Sequence, residues 1–259
     1  MLLVSTACTD PASDLAVPVE PLESGPVPGD AESIVRYGLS TSPASPWAHY
    51  RTSCDTSCGI VFGAVTDTLF ATTTDGGQVG MLVDSAEVNR DHTVHVWTLR
   101  PGIEFSDGSP LDADAAKLNI DACRHSALTG PGLAGIDDVR AEGLVLTITS
   151  LAPWATLPAH FAETPCGHMF SADWLSSLPD LPMRSAGAPF HDLAIARRPA
   201  VGDPRAPVGV GPFVVTSFTP GNGNSMMLRA NPTYWRPEAA PAADKIELVV
   251  IEDDSIRHA

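Results

Sequence analysis

The chain has 259 residues, of which 44% are hydrophobic, and this is enough to form a substantial buried core in one large or two smaller domains. Its 31 acidic and 15 basic residues give a formal net charge of -16. This charge argues against nucleic acid as a partner, because phosphate binding requires clustered Lys and Arg. No run of about eighteen uncharged apolar residues is present, so the sequence predicts no membrane-spanning helix.

The N-terminus begins with a short run of apolar and small residues that ends at Cys8. Residues 1–8 are typical of the end of a bacterial lipoprotein signal, so we predict that Cys8 carries a lipid, although Ser5 stands where such signals usually have Leu. The alternative is an ordinary cysteine in a frayed terminus. Residues 9–30 are Pro-rich, acidic and non-periodic, which predicts a flexible tether before a folded body over residues 31–259.

The remaining cysteines form an even set, suited to two disulfides outside the cytoplasm: Cys54, Cys58, Cys123 and Cys166. Three pairings are possible. One of them closes a small ring between Cys54 and Cys58 and leaves Cys123 to pair with Cys166. A zinc site requires paired close spacings and only one close pair exists, so we predict no metal site.

Hydrophobic periodicity and turn residues predict a mixture of helices and strands. In chain order these are strand 33–39, helix 60–70, strand 94–99, helix 112–127 capped by Asp112, strand 144–148, a short helix over 154–162 broken by Pro158, and strands 211–218, 226–229 and 246–251. The Pro-rich residues 179–207 are predicted as loop. This irregular order of helices and strands indicates an α/β or α+β body.

Motifs of common enzymes are absent from the sequence: it has no G-x-S-x-G elbow, P-loop or H-E-x-x-H. His92 and His95 lie three residues apart and would face opposite sides of a strand, so we predict structural or solvated histidines. Adjacent acids at 137–138 and 252–254 are predicted as solvated or capping groups at turns. We therefore predict a protein that is not an enzyme and uses no cofactor.

Residues 96–114, VWTLRPGIEFSDGSPLDAD, resemble the signature of extracellular solute-binding proteins of family 5, the peptide/nickel type. They share an aromatic strand, Leu-Arg, a Gly turn, Phe-x-Asp-Gly and a Pro-Leu step into a helix. Ala115 and Ala116 depart from the Asp and Val with which the family usually continues. We assign fold-determining roles to the motif residues Leu99, Arg100, Gly102, Phe105, Asp107 and Gly108.

Two later blocks follow in the order found in the family. Residues 208–213 resemble its Gly-x-Gly-Pro-aromatic segment, and residues 229–235 resemble its Arg-Asn-x-x-Tyr-Trp segment. The resemblance covers about residues 33–257. We assign fold-determining roles to the residues of these motifs, with the two aromatic residues in packing positions: Gly209, Gly211, Pro212, Asn231, Tyr234 and Trp235.

The resemblance implies a periplasmic-binding-protein-like fold of type II, mixed α/β, in which residues 31–259 form an incomplete first lobe truncated before the second. It also implies a lipid-anchored substrate-binding protein of an ABC importer, in the periplasm or on the outer face of the cell membrane. Peptides are the expected ligands, and the permease and its ATPase subunits the expected partners. The alternatives are a non-transport structural or interaction lipoprotein that retains the fold without ligand binding and, third, an extracytoplasmic hydrolase.

First-lobe ligand contacts in this family come from loops that follow early strands, which implies residues 40–50 in this chain. Within them we predict Ser42, Trp47 and Tyr50 as ligand-facing residues. Trp47 and Tyr50 each offer an apolar ring and a polar tip for a peptide. The alternative is that both aromatic residues belong to the core or anchor the loop.

Overall fold

The computed structural model describes residues 33–40, 47–51, 56–178, 181–182, 206–219 and 225–251. They belong to one compact unit, Glu32–Ala259. The predictions for Cys8, Ser42, Cys54, the tether and most of the loop over 179–207 lie outside the described residues.

The described residues form helices and strands in mixed order, as predicted. They are β1 (Ile34–Leu39), α1 (Thr56–Val65), β2 (Phe70–Thr72), β3 (Gln78–Gly80), β4 (Val83–Val88), β5 (Val94–Leu99), α2 (Ala113–His125), β6 (Ile136–Glu142), β7 (Val145–Ser150), α3 (Leu157–Glu163), α4 (Ala172–Ser176), β8 (Phe213–Thr219), β9 (Ser225–Ala230) and β10 (Lys245–Val250). Short 3-10 helices cover His49–Arg51, Gly130–Leu133, Pro165–Gly167 and Pro237–Ala239. Within these described segments, no helix is long and apolar enough to cross a membrane.

The first sheet has the strand order β1-β10-β9-β8. β1 and β10 are parallel, with Ile34 opposite Lys245 and Leu39 opposite Val250, whereas β9 is antiparallel to both of its neighbours. Two reciprocal bonds close the start of the parallel pair: Ser33 N donates to Asp244 Oδ2 at 2.8 Å, and Asp244 N donates to Ser33 Oγ at 3.0 Å. The sheet therefore joins the beginning and the end of the described chain.

The second sheet is antiparallel, in the order β4-β5-β7-β6, and β2 and β3 form a small separate hairpin. Side chains on β5 and β7 alternate between buried and half-buried, and α2 packs against β6 and β7. Trp97 on β5 is fully buried, with ring centroids 4.8 Å from Phe70 and 5.4 Å from Phe161. The core of this layer therefore lies between the second sheet and the helices.

Helix α2 begins as predicted, because the Asp112 carboxylate accepts a hydrogen bond from Ala115 N at 2.8 Å. It ends at His125, two residues before the predicted end, and the Ser126 N–H turns back to Cys123 O. A disulfide joins Cys123 to Cys166, with the two Cα atoms 6.0 Å apart, and so links α2 to the 3-10 helix after α3. Cys58 is also disulfide-bonded.

Two predicted helices have different bounds in the structure. The first covers Thr56–Val65 instead of 60–70, and it ends there because Gly211 N donates to the Val65 carbonyl at 2.9 Å. The second begins at Leu157, so that Pro158 lies in its first turn, where a missing N–H costs nothing. The prediction that Pro158 breaks this helix is therefore wrong.

Two smaller predictions are also corrected. Asp137 and Asp138 lie on β6 rather than at a turn: Asp138 is opposite Thr149 of β7, and Asp137 lies at an irregularity in the ladder. His92 does not lie on a strand: it occupies the turn before β5, with φ of 52°. His95 lies on β5 and is buried.

Candidate functional site

The second motif block, around Gly209 and Gly211, packs directly on the end of α1. A Cβ atom on Gly209 would lie 2.2 Å from Val65 O, and one on Gly211 would lie 2.4 Å from Val65 C. Because these are backbone contacts, only glycine fits at either position. Asn231 then fixes the segment, since its Nδ2 donates to Gly211 O at 2.9 Å and its N–H donates to Pro212 O at 2.8 Å.

The third block, residues 229–235, contacts the segment after α1 through Trp235. Its indole Nε1–H donates to Asp67 Oδ2 at 2.7 Å, two residues after α1. Burial raises the pKa of the Asp67 carboxyl, although hydrogen bonds from Trp235 and Tyr234 and the charge of Arg236 oppose that shift. Burial, together with the nearby Asp67 charge, also raises the pKa of Tyr234 to about 12. Asp67 thus lies in a partly buried polar cluster next to α1.

The first block reaches this region through the turn around Phe105. Phe105 is buried, and Gly108, at φ of 84°, donates its N–H to Phe105 O at 2.9 Å. Gly102 also has a positive φ, of 76°. Ser106 N then donates to Gly209 O at 2.9 Å, so the first two blocks are hydrogen-bonded to each other. We call residues 65–67, the second and third blocks that contact them, and the first block bonded to Gly209 the motif junction.

Asp107 stabilises this turn through its carboxylate. It accepts hydrogen bonds from Ser109 N at 3.0 Å, Ser109 Oγ at 2.6 Å and Ser171 Oγ at 2.5 Å. Burial alone would raise the pKa of Asp107, but these hydrogen bonds favour the carboxylate and the net pKa shift is downward. The ionised form therefore holds the turn to the start of α4.

The carboxyl ends of β1 and β10 meet at one edge of the first sheet. Leu39 lies opposite Val250, and Ile251 N donates to Leu39 O at 2.9 Å. Ser40, the next residue, is exposed. In open α/β sheets, ligands bind outside the carboxyl ends of the parallel strands. We therefore take this carboxyl edge, formed by residues 39–40 and 250–251, as the candidate ligand site.

The described segment 47–51 follows β1 along the chain and contains two of the predicted ligand residues. Trp47 is 4% exposed, and its ring centroid lies 5.3 Å from that of Phe218 on β8. Tyr50 is fully buried, with the Arg51 guanidinium 5.4 Å from its ring centroid. Both aromatic side chains thus pack inside the lobe, and direct contact of either one with a ligand stays a prediction.

Segment 47–51 is attached to α2 by polar contacts that sequence reasoning missed. His49 Nε2–H donates to Asn119 O at 3.0 Å, and Ser126 Oγ donates to Tyr50 O at 2.6 Å. The Asn119 side chain also bonds both backbone groups of Phe170, at 2.8 and 3.0 Å. An Asn next to Ile120 in the apolar stripe of α2 is the signal that could have indicated this network, because a buried amide requires partners.

Two buried histidines belong to this region. Burial lowers the pKa of His49 and of His168 to about 4 in each case. The Thr66 hydroxyl donates to Phe62 O and therefore accepts the bond from His168 Nδ1–H at 2.7 Å. Among the residues that the structure describes, no group of three His, Cys, Asp or Glu side chains is arranged to hold a metal ion.

Comparison with known sequences places these features in a family. The sequence model of the bacterial extracellular solute-binding proteins, family 5 Middle, matches residues 77–259. Protein XP55 of Streptomyces lividans is 28% identical over 187 residues, a match that covers 66% of this chain and 27% of XP55. The chain therefore spans much less than the whole length of that relative.

Solved structures with the same fold include three binding proteins of different ligand classes. A nickel ABC transporter protein from Bacillus halodurans matches with a TM-score of 0.65 and 21% identity, over 88% of this chain and 40% of its own. The substrate-binding domain of an oligopeptide ABC transporter from Bacillus anthracis matches with a TM-score of 0.66 and 15% identity, over 88% and 43%. AgaA from A. tumefaciens R10, solved with agropinic acid, matches with a TM-score of 0.68 and 21% identity, over 87% and 41%.

These likenesses show the fold expected from the sequence, a mixed α/β first lobe of the type II solute-binding class. The matched residues 77–259 include the three blocks that form the motif junction, and they make up more than half of the chain. The chain therefore belongs to the bacterial extracellular solute-binding proteins, family 5.

Proposed function

We propose that this chain is part of the substrate-binding protein of an ABC importer, that its ligands are peptides, and that a lipid on Cys8 holds it outside the cytoplasmic membrane. The observation that carries the proposal is the motif junction. Two of the three blocks contact residues 65–67, through Gly211 and Trp235, and the first block is hydrogen-bonded to the second through Ser106 and Gly209. In the same lobe, the parallel strands β1 and β10 end together at the carboxyl edge.

The carboxyl edge suits an extended peptide because it ends in backbone groups. Among the described residues, the last bond between the two chain segments runs from Ile251 N to Leu39 O, and Ser40 beyond it is exposed. Backbone groups that extend beyond the end of a strand pair can hydrogen-bond the main chain of a peptide, while neighbouring pockets select its side chains. The resemblance of the three blocks to the peptide/nickel type supports the same ligand class.

The exposed start of β1 supports the proposal that a further part of the protein packs against this lobe. Ile34, Val35 and Tyr37 are each about half exposed, although all three are large apolar residues on a strand. Exposed apolar strands of this kind mark surfaces that another element covers. We propose that further chain of the whole protein covers β1 and contributes a second lobe, which closes over the ligand at the carboxyl edge.

The proposal is tested on the full protein purified from its host, with native mass spectrometry to identify the ligand that copurifies. The same spectrum measures the mass added by a lipid at Cys8. Binding of the identified peptide is then measured by calorimetry for Ser40→Trp and for a matched control, Ser85→Trp, on the exposed strand β4. We expect Ser40→Trp to weaken binding at least about tenfold, since a bulky side chain would fill the carboxyl edge.

Ser85→Trp should leave the affinity unchanged, and both variants should keep the melting temperature of the parent protein. Copurification of a ligand that is not a peptide would reject the ligand class. Equal affinity of the two variants would reject the carboxyl edge as the site.

A further inference from the structure

A second cleft, of about 380 Å³, lies between the β2–β3 hairpin and the segment that follows Tyr234. Ala71, Val79 and Met81 line one part of it, and Arg100, Trp235 and Arg236 line another. It contains no residue of the carboxyl edge, so the proposed function does not account for it. Its volume lies within the range of small-molecule sites. We call it the arginine cleft.

Two guanidinium groups meet at one methionine in this cleft. Arg100 Nε donates to Met81 O at 2.8 Å, and Arg236 Nη1 donates to Met81 Sδ at 3.3 Å. A thioether sulfur is a weak acceptor, so an oxyanion would be a stronger partner for this N–H of Arg236. Guanidinium groups pair best with planar oxyanions, which accept two parallel hydrogen bonds. This arrangement favours an anionic ligand.

The carboxylates that form ion pairs with the two arginines are solvent-exposed, while the partly buried Asp67 acts on Arg236 only through its charge. Glu238 pairs with Arg236 at 3.2 Å and its side chain is 68% exposed, while Asp84 pairs with Arg100 at 2.8 Å and its side chain is 55% exposed. Exposed ion pairs contribute little to stability. A ligand carboxylate can therefore take the place of Glu238 on Arg236 at small cost.

The remaining walls of the cleft are apolar. Ala71 and Val79 come from the hairpin, and the Trp235 ring lies 5.7 Å from the Arg236 guanidinium carbon. Trp235 is held in place by its bond to Asp67. We propose that the arginine cleft is a second ligand site, which binds a small organic carboxylate with its carboxylate on Arg236 and its apolar body against Trp235 and the hairpin.

The test uses three probes on the full chain: benzoate, the neutral isostere benzamide and inorganic phosphate. Binding is followed by the shift of the Trp235 indole N–H signal in ¹⁵N-resolved NMR, assigned with Trp235→Phe. We expect benzoate to shift this signal saturably and benzamide and phosphate to leave it in place. Arg236→Gln should weaken benzoate binding about tenfold, because it removes a charge-assisted pair. Glu238→Gln should strengthen it, because it removes the internal competitor.

Arg140→Gln is the matched control, since exposed Arg140 pairs with Asp138 two residues away on β6, just as Arg236 pairs with Glu238. It should bind benzoate as the parent does. The proposal is overturned if benzoate gives no saturable shift, if benzamide or phosphate binds as well as benzoate, or if Arg236→Gln and Arg140→Gln bind equally. Weaker binding by Glu238→Gln would also overturn it.

Discussion

Strands β5 and β1 have similar amino-acid compositions but opposite environments. β5 reads VHVWTL and buries every second residue, whereas β1 reads IVRYGL and leaves its first four residues exposed. Trp97 on β5 is fully buried, and Tyr37 on β1 is 48% exposed. Both sequences favour strands because they contain β-branched and aromatic residues. Both segments are strands because each pairs with a neighbour, and they differ because other elements cover β5 and leave the start of β1 exposed.

The largest expected effect comes from a matched pair of aromatic substitutions. Trp97→Ala should lower the free energy of unfolding by about 3 to 5 kcal/mol, because it leaves a cavity between Phe70 and Phe161. Tyr37→Ala should lower it by less than about 1 kcal/mol, because half of the ring is already in water. Urea unfolding curves of the two variants measure the difference. Similar losses would mean that a layer covers β1 in solution.

The disulfide is expected to have the next largest effect. The double variant Cys123→Ala/Cys166→Ala should lose about 3 to 4 kcal/mol, because the bond closes a loop across a sequence separation of 43. The matched variant Cys54→Ala/Cys58→Ala should lose less, because the predicted ring between these cysteines is far shorter. Urea midpoints with non-reducing mass measurements compare the two, and equal losses would contradict the loop-length explanation.

The smallest expected change in stability comes from acidic pH, through the two buried histidines His49 and His168. Their pKa values are lowered to about 4, so the folded protein holds both neutral while an unfolded chain binds protons below about pH 6.5. Stability is therefore complete above pH 6.5 and falls towards pH 4. Between pH 7 and 5.5 the two groups together should remove about 2 kcal/mol. Melting curves across this range measure the loss.

The control for this pH dependence is His49→Gln combined with His168→Asn. Each amide can keep the donor of the histidine it replaces, towards Asn119 O and Thr66 Oγ1, but neither amide titrates. The double variant should show a flatter stability profile between pH 7 and 5.5. A slope equal to that of the parent would show that other groups cause the acid sensitivity.

Elements with a strong local pattern could be predicted closely from sequence. The bounds of β5 were predicted to the residue, and α2 begins at its predicted cap, because alternation and capping depend on neighbouring residues. Strands β2 and β3 have three residues each, too few to show a period. β4 buries only Val83, so the alternation that would identify it is absent. These segments are strands because they pair with neighbouring strands, and sequence periodicity does not reveal such pairing.

The candidate site was predictable only in part. Gly108 was expected in a turn and has the positive φ that such a turn requires. Gly209 and Gly211 serve a different purpose, because they allow the backbone to approach Val65, and that contact depends on packing between distant segments. The same holds for the bond between His49 and Asn119. The carboxyl edge likewise depends on the parallel pairing of β1 with β10.

That parallel pairing also sets the order in which the lobe can be completed during synthesis. Ser33 and Asp244, which are hydrogen-bonded to each other at the start of this strand pair, are separated by 211 positions. At the usual pace of a ribosome, β1 waits roughly 10 to 40 seconds for its neighbour to emerge. The earliest described strand is thus among the last to be paired, and until then its backbone and the apolar residues Ile34, Val35 and Tyr37 are open to a chaperone or export factor.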